Sequence, residues 1–285
     1  MNQAILITFQ DADMYLQPWA ESLGLKFSNT KRGHDVAARV FTSENSPAEL
    51  RQSLKEYSAD KTIDALILDW PLVFPKLLVM DMDSTLVDAE TIDQIAEIAG
   101  AEVGAQVAEV TASAMRGELD FQQSLIARVS KLKGLTLDEL KQVHERLPLM
   151  PGAREMLEFM HSRGCHTALV SGGFTLFAEP LADSIGIKEV HANTLEFKDG
   201  KLTGHVVGEI VDGAHKERVL KSLSNKLNLK REEIWAIGDG ANDLPMLGSA
   251  GVGIAYHAKP KVNQEADHAI RYEDLTALKR LLMLA

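Results

Sequence analysis

The sequence predicts an α/β fold. A parallel sheet with crossover helices carries an inserted helical cap and follows a small α+β sandwich of order βαββαβ. Three observations carry this. Short apolar runs at 77–80, 167–170, 234–237 and 252–255 alternate with helical stretches, as buried parallel strands do. Each run stops at a polar or glycine-rich cluster: "DMDST", "SGG", "GDGAND" and "YHAKP". The first two runs are separated by far more chain than one crossover needs, which calls for an insertion.

Before residue 76 the segments read β (4–9), α (14–25), β (26–30), β (37–42), α (47–57) and β (65–69). "DWPLVFPK", residues 69–76, sets Pro71 and Pro75 between two apolar runs. It marks an expected boundary between domains at 1–75 and 76–285. Beyond it, residues 89–150 read as a helical cap, because Ile92, Ile95, Ala96 and Ala99, then Phe121, Leu125, Val129 and Leu132, follow helical spacing. "ANTLEFKDGKLTGHVVGEI" alternates around Asp199-Gly200 and reads as a hairpin in a second insertion. In open α/β sheets ligands bind beyond the C-terminal strand ends, so the four clusters are expected to meet at one edge.

The chain has 285 residues, enough for a real core and for more than one domain. Its formal net charge of −11 argues against a nucleic-acid partner. It also means that an anionic ligand must be captured by a few local cations or a metal. Cys165 is the lone cysteine, so no intrachain disulfide forms, which fits a reducing compartment. The start, "MNQAILITFQDADMY", lacks the basic and apolar regions of a signal peptide. The most apolar region, 63–80, is broken by Asp64, Asp69, Lys76 and two prolines and cannot span a bilayer. A cytoplasmic protein with no membrane partner is expected.

Asp81 and Asp83 are the residues that need explaining. On an extended chain, side chains two apart point the same way and lie ~6–7 Å apart. Two carboxylates there repel unless a cation intervenes or one holds a proton. A helix-loop-helix calcium site fails, because Leu86 stands where glycine is needed and Ile92 where glutamate is needed. The stretch from Asp239 fails the same test at Leu244. Turn and capping chemistry accounts for "DMDST", "SGG" or "GDG" taken singly. Phosphoryl transfer through a carboxylate nucleophile, with Mg²⁺ between the charges, accounts for them together. Asp239 and Asp243 supply acids, Ser171-Gly172-Gly173 supplies a hydroxyl and backbone donors, and Lys216 supplies a cation. Taken alone, Lys216 is more commonly a solvated helix lysine, and Asn242 and Asp243 read also as turn residues. Arg128 lies seven residues after Phe121 and shares its apolar stripe, so it either snorkels to water or meets an anion.

In this order "DMDST", "SGG", "HKER" and "GDGAND" resemble the four motifs of the haloacid dehalogenase superfamily of phosphatases. "ETIDQIAEIAG" and "AMRGELDFQQSLIARVSKLKGL" resemble the cap of its phosphoserine phosphatases. The resemblance covers roughly residues 76–275, and residues 1–75 are loosely similar to an ACT-like extension. It implies a Rossmann-like core and Mg²⁺-dependent hydrolysis of O-phospho-L-serine to L-serine and phosphate through an aspartyl-phosphate, the last step of serine biosynthesis. It assigns Asp81 as nucleophile and Asp83 as general acid and base. Asp81, the Asp83 backbone carbonyl and Asp239 would hold the metal, with Asp243 outside that set. Ser171, Gly172 and Lys216 would hold phosphate, and Asn242 would orient Lys216 or substrate. Glu90 would take the serine ammonium, Arg128 its carboxylate, and Met115 and Phe121 would form the apolar wall of a shut cap. Glu90 reads as well as a helix-dipole partner, and Met115 and Phe121 as cap core. A homodimer through the N-terminal domain is a further expectation. Two other readings stay open: a phosphatase or phosphotransferase for another small phosphate, such as transfer to homoserine, and a serine sensor with a vestigial core. The glycine expected after the first strand of amino-acid-binding examples is absent from "ITFQDADMY".

Overall fold

A computed structural model describes residues 2–9, 12–33, 35–69 and 71–284. Gln10 and Asp11, after the first strand, and Trp70, in the expected boundary segment, lie outside them. The N-terminal part runs β1 (Asn2–Phe9), α1 (Ala12–Ser22), β2 (Lys26–Gly33), β3 (Val36–Ser43), α2 (Pro47–Ser58) and β4 (Ala65–Asp69). This is the expected βαββαβ order, folded into an antiparallel sheet β2-β3-β1-β4. Ser46 caps α2 in a reciprocal box with Glu49, and Pro47 follows it, so the start of this helix is written locally.

One face of that sheet packs Ala4, Leu6, Phe41 and Ile67 against Leu16 and Trp19 of α1 and Leu50 and Leu54 of α2. The alternate residues Ile5, Ile7, Ala38, Val40, Leu66 and Leu68 point the other way and enter the main core of the molecule. Both faces are covered, which is why β1 is apolar without a break from Ala4 to Ile7 rather than at every second position.

The larger part continues with β5 (Leu77–Met80) and the cap helices α3 (Thr91–Ala99), α4 (Ala101–Met115), α5 (Phe121–Lys131) and α6 (Leu137–Lys141). It returns through α7 (Ala153–Ser162), β6 (His166–Phe174), α8 (Thr175–Ser184), β7 (Glu189–Lys198), β8 (Lys201–Val207) and α9 (Gly213–Lys226). It closes with β9 (Ile234–Gly238), α10 (Leu244–Ser249), β10 (Val252–Tyr256), α11 (Pro260–Glu265), β11 (His268–Ile270) and α12 (Thr276–Leu282). The sheet order is β11-β10-β9-β5-β6-β7-β8, parallel except for β8. The chain moves from β5 to β6 on one side and later to β9 on the other. The strand order therefore reverses at β5, which opens a crevice at its C-terminal end.

The hairpin around Asp199-Gly200 forms, with both turn residues at positive φ (52° and 75°). It is not a separate insertion, however. The first half of β7 pairs in parallel with β6, so the hairpin prolongs the main sheet. Its outer strand then meets the cap, where the N–H of Gly134 donates to the Leu202 carbonyl at 2.8 Å. The two strands linking cap to core lie side by side. Val87 bridges both Asp83 and Leu149, and the Asp88 N–H donates to the Pro148 carbonyl at 2.9 Å. Among the described residues, no helix is long and apolar enough to cross a membrane.

Candidate active site

Asp81 follows β5 directly, where its N–H still donates to the Ile237 carbonyl of β9 at 3.0 Å. Its Oδ1 accepts from the Met82 N–H at 2.7 Å and faces the Lys216 ammonium at 2.8 Å. Lys216 sits on the first turn of α9, wholly buried, and also bonds Asp243 Oδ1 at 2.7 Å. A lysine side chain reaches this depth because Asp212 caps α9, accepting from the His215 N–H at 2.9 Å, and aims that turn at the strand ends. Asp239 follows β9, and its carboxylate accepts from Thr85 at 3.4 Å. One oxygen each from Asp81, Asp239 and Asp243 lies within 4.8 Å of the others, and all three residues are buried.

The loop after β5 is tightly wound. The N–H groups of Leu86 and Val87 both donate to the Met82 carbonyl, and Ser84 adopts a left-handed φ of 56°. Such a conformation costs a non-glycine residue roughly 1–3 kcal/mol and is held by its surroundings. Here the Ser84 hydroxyl donates to Glu90 at 2.9 Å, which draws the glutamate toward the loop. Glu90 makes no capping bond to α3, so its side chain is not spent on the helix terminus.

From β6 come Ser171, 1% exposed, and Gly172. The Ser171 oxygen accepts from the Gly173 N–H at 2.8 Å, leaving its own hydrogen free to donate. Phe121 of the cap rests on this loop: a Cβ on Gly172 would stand 2.7 Å from its ring, so only glycine admits the contact. Gln122 beside it donates to Asp212 at 2.6 Å, tying α5 to the start of α9.

A family model for haloacid dehalogenase-like hydrolases matches residues 78–248. The chain belongs to this family. The phosphoserine phosphatase of Vibrio cholerae is 47% identical over 222 residues, covering 78% of this chain and 67% of its own. A haloacid dehalogenase-family hydrolase from Salmonella enterica superposes with a TM-score of 0.86 at 32% identity, covering 100% of this chain and 98% of its own. A substrate-bound phosphoserine phosphatase superposes with a TM-score of 0.68 at 38% identity, covering 75% of this chain and 100% of its own.

In this haloacid dehalogenase-like hydrolase the two strand-end aspartates have different surroundings. Burial pushes the Asp83 carboxyl up to about 7, against the hydroxyl and backbone N–H of Thr91, which favour its charged form. Burial raises Asp81 well above the carboxylate range, helped by the charge of Asp243 and opposed by Lys216. Asp239 is pushed up to about 7 by burial, then by Asp243 and Glu90. Burial works against the Lys216 charge, but Asp243 and Asp81 outweigh it and hold the ammonium above its usual range. One buried cation thus stands against three buried carboxylates. An all-oxygen donor set with uncompensated negative charge fits a hard divalent cation.

Several expectations change in detail. Asp243, expected just outside the metal's ligand set, has one carboxylate oxygen within 4.8 Å of those of Asp81 and Asp239 and bonds Lys216. Lys216 is oriented by Asp81 and Asp243, while the Asn242 amide lies against Gly240, where an added Cβ would stand 2.3 Å from its oxygen. Phe121 reaches the phosphate-loop backbone, but Met115, at the end of α4, is 74% exposed and is not cap core. Arg128 is partly buried, and the charges that bear on it are Asp93, Glu90 and Asp83, so it does not simply snorkel away from the site.

Three residues escaped the sequence reading. Asn193, 2% exposed, donates to the Gly172 carbonyl at 2.8 Å and accepts from the Val211 N–H at 2.9 Å, fixing the loop. Its only signal was a polar residue at the mouth of the hairpin. Lys259, in the cluster after β10, places a positive charge on Asp239 and Asp93. Thr91, fully buried, donates its hydroxyl to Asp83 Oδ1. Its place at a helix start resembles an ordinary cap and gave no separate signal.

Proposed function

We propose that this chain hydrolyses O-phospho-L-serine to L-serine and inorganic phosphate, with the phosphoryl group passing through Asp81. The observation that carries the reading is the buried Asp81–Lys216–Asp243 arrangement, with Asp239 beside it and Asp83 two residues on. The substrate is supported by relatives named phosphoserine phosphatases, one of them substrate-bound.

In this reading an Asp81 oxygen attacks phosphorus while Asp83 protonates the departing seryl oxygen. Water then attacks the aspartyl-phosphate, and Asp83 takes back a proton. The Ser171 hydroxyl, the Gly172 N–H and the Lys216 ammonium hold the phosphoryl oxygens, where transition-state charge spreads. Asp81, Asp239 and the Asp83 backbone carbonyl, with Asp243 close by, would hold Mg²⁺, which would neutralise charge between the carboxylates and the phosphate dianion. Arg128 takes the serine carboxylate as a planar fork, Glu90 takes the ammonium, and Asn242 orients substrate. Phe121, joined by Met115 when the cap is shut, keeps water out. The division at residues 75/76, the cap at 89–150, an ACT-like N-terminal part and a homodimer through it complete the reading; sedimentation of the full chain tests the dimer.

Mg²⁺-dependent phosphate release from O-phospho-L-serine, compared with Asp81→Asn, tests the core claim. Turnover should fall by at least about a thousandfold with folding intact. Full turnover in Asp81→Asn removes the nucleophile. Rates on phosphothreonine, phosphoethanolamine and phosphoglycolate, with and without homoserine, separate this activity from a related phosphatase or phosphotransferase.

A further inference from the structure

Thr91 opens α3 at the point where the hinge becomes the cap, and it is wholly buried. A threonine at a helix start usually serves as a cap, but here the capping position is Glu90 and no side chain fills that role. The Thr91 hydroxyl instead crosses to Asp83 and donates to its Oδ1. The other oxygen, Oδ2, faces the phosphate loop: a Cβ built on Gly173 would stand 3.2 Å from it and 3.1 Å from the Ser171 oxygen. A hydroxyl has one hydrogen to give. Spent on Oδ1, it makes that oxygen an acceptor and leaves Oδ2 to carry the acid's proton.

We propose that Thr91 is a positioning residue for the hydrolysis, holding Asp83 from the cap so that Oδ2 is the oxygen that gives and recovers the proton. This rests on the phosphoserine phosphatase reading. In the first step an Asp81 oxygen bonds to phosphorus and the bond from phosphorus to the seryl oxygen breaks. The departing electron pair takes the proton of Asp83 Oδ2, giving the serine hydroxyl and an Asp83 carboxylate. In the second, water oxygen bonds to phosphorus, the bond from phosphorus to Asp81 breaks, and Oδ2 accepts a water proton. Thr91 exchanges no atom in either step. Because it rides on the first turn of the cap, it aligns the acid only while that turn stays seated on the core.

The test compares Thr91→Val and Thr91→Ser with the full-length Mg²⁺-loaded wild type. Thr91→Val should lower kcat on O-phospho-L-serine about 10- to 100-fold, with KM within about twofold, as expected for misplacement of a catalytic group. Thr91→Ser should restore kcat to within about threefold, because it keeps the donor. Single-turnover phosphorylation of Asp81 by p-nitrophenyl phosphate, whose leaving group needs no proton, should change less than about threefold in Thr91→Val. An unchanged kcat on phosphoserine, or an equal loss on both substrates, overturns the proposal. Should Thr91→Val not fold, Thr91→Ala against Thr91→Ser decides in the same way. Absence of phosphoserine turnover in the wild type overturns the parent reading instead, before any variant is made.

Discussion

Asp81 and Asp83 leave one strand end together, and what touches each of them separates their chemistry. Asp81 Oδ1 accepts from the Met82 N–H and faces the Lys216 ammonium. Asp83 meets a hydroxyl and, among the described residues, no contacting cation, and its carboxyl rises to about 7. Burial raises Asp81 as well, with Asp243 adding to it and Lys216 opposing it, so the two carboxyls differ in the charges that face them. The raised values have a measurable consequence. In the metal-free protein Asp83 and Asp239 hold protons up to about pH 7, whereas an unfolded aspartate releases its proton near 4. The folded state therefore binds more protons between those values, and the stability these two groups contribute is present below about pH 4 and is lost as pH rises through 7. A divalent cation held among Asp81, Asp239 and Asp243 would displace the Asp239 proton. The Mg²⁺-induced rise in Tm should grow from pH 5 to pH 8, and calorimetry near pH 6.5 in buffers of different ionisation enthalpy should show proton release. A Tm increment that is flat across this range would show that the carboxylates are already ionised without metal.

At the scale of elements, the strands β5, β9 and β10 were legible because they are buried on both sides and read as unbroken apolar runs. The first half of β7 was not, because it is only half-buried and carries Glu189 and His191. Nor was α4, which buries only Val107 and so shows no stripe. The "HKER" stretch gave away Lys216, but not its depth, since a lysine one turn into a helix ordinarily points to water. That depth makes α9 a structural as well as a chemical element. Lys216→Met leaves Asp81 and Asp243 buried without their cation, an arrangement that typically costs ~3–5 kcal/mol. The expected outcome is abolished turnover and a Tm well below wild type without metal, measured by calorimetry near neutral pH. Retained stability would mean that the two acids are paired elsewhere. The end of β9 is equally constrained: a Cβ on Gly238 would stand 2.4 Å from the Asp243 carboxyl carbon.

For the whole molecule, the βαββαβ order was readable in the N-terminal segment, but where its sheet docks was not, because docking depends on residues some two hundred positions away. Asp64, 4% exposed, accepts from the backbone N–H groups of Arg271, Tyr272 and Glu273 at 2.8–2.9 Å. Arg271 in turn donates to the carbonyls of Ser58 and Ile63. His268, buried and kept neutral by that burial, sets one ring nitrogen against each of the carbonyls of Gly253 and Ile67 and donates its one N–H to one of them. Beside these bonds, Ile5, Ile7, Val40 and Leu68 share one apolar core with Leu278, Leu281 and Leu282 of α12. The N-terminal part is thus built into the core of the hydrolase rather than hung from a linker. In this chain α12 has its apolar face committed to the N-terminal part. Each buried leucine or isoleucine contributes roughly 1.5–3 kcal/mol. A chain of residues 76–285 should therefore lose more than about 5 kcal/mol and bind an apolar dye at temperatures where the full chain does not. The single change Asp64→Asn should act at the same joint, lowering Tm by the equivalent of about 1.5–3 kcal/mol, because the amide accepts more weakly and loses the charge facing three N–H groups. If the truncated chain melts with the full one, the shared core contributes nothing to stability, and the buried contacts between the two sheets are only adjacency.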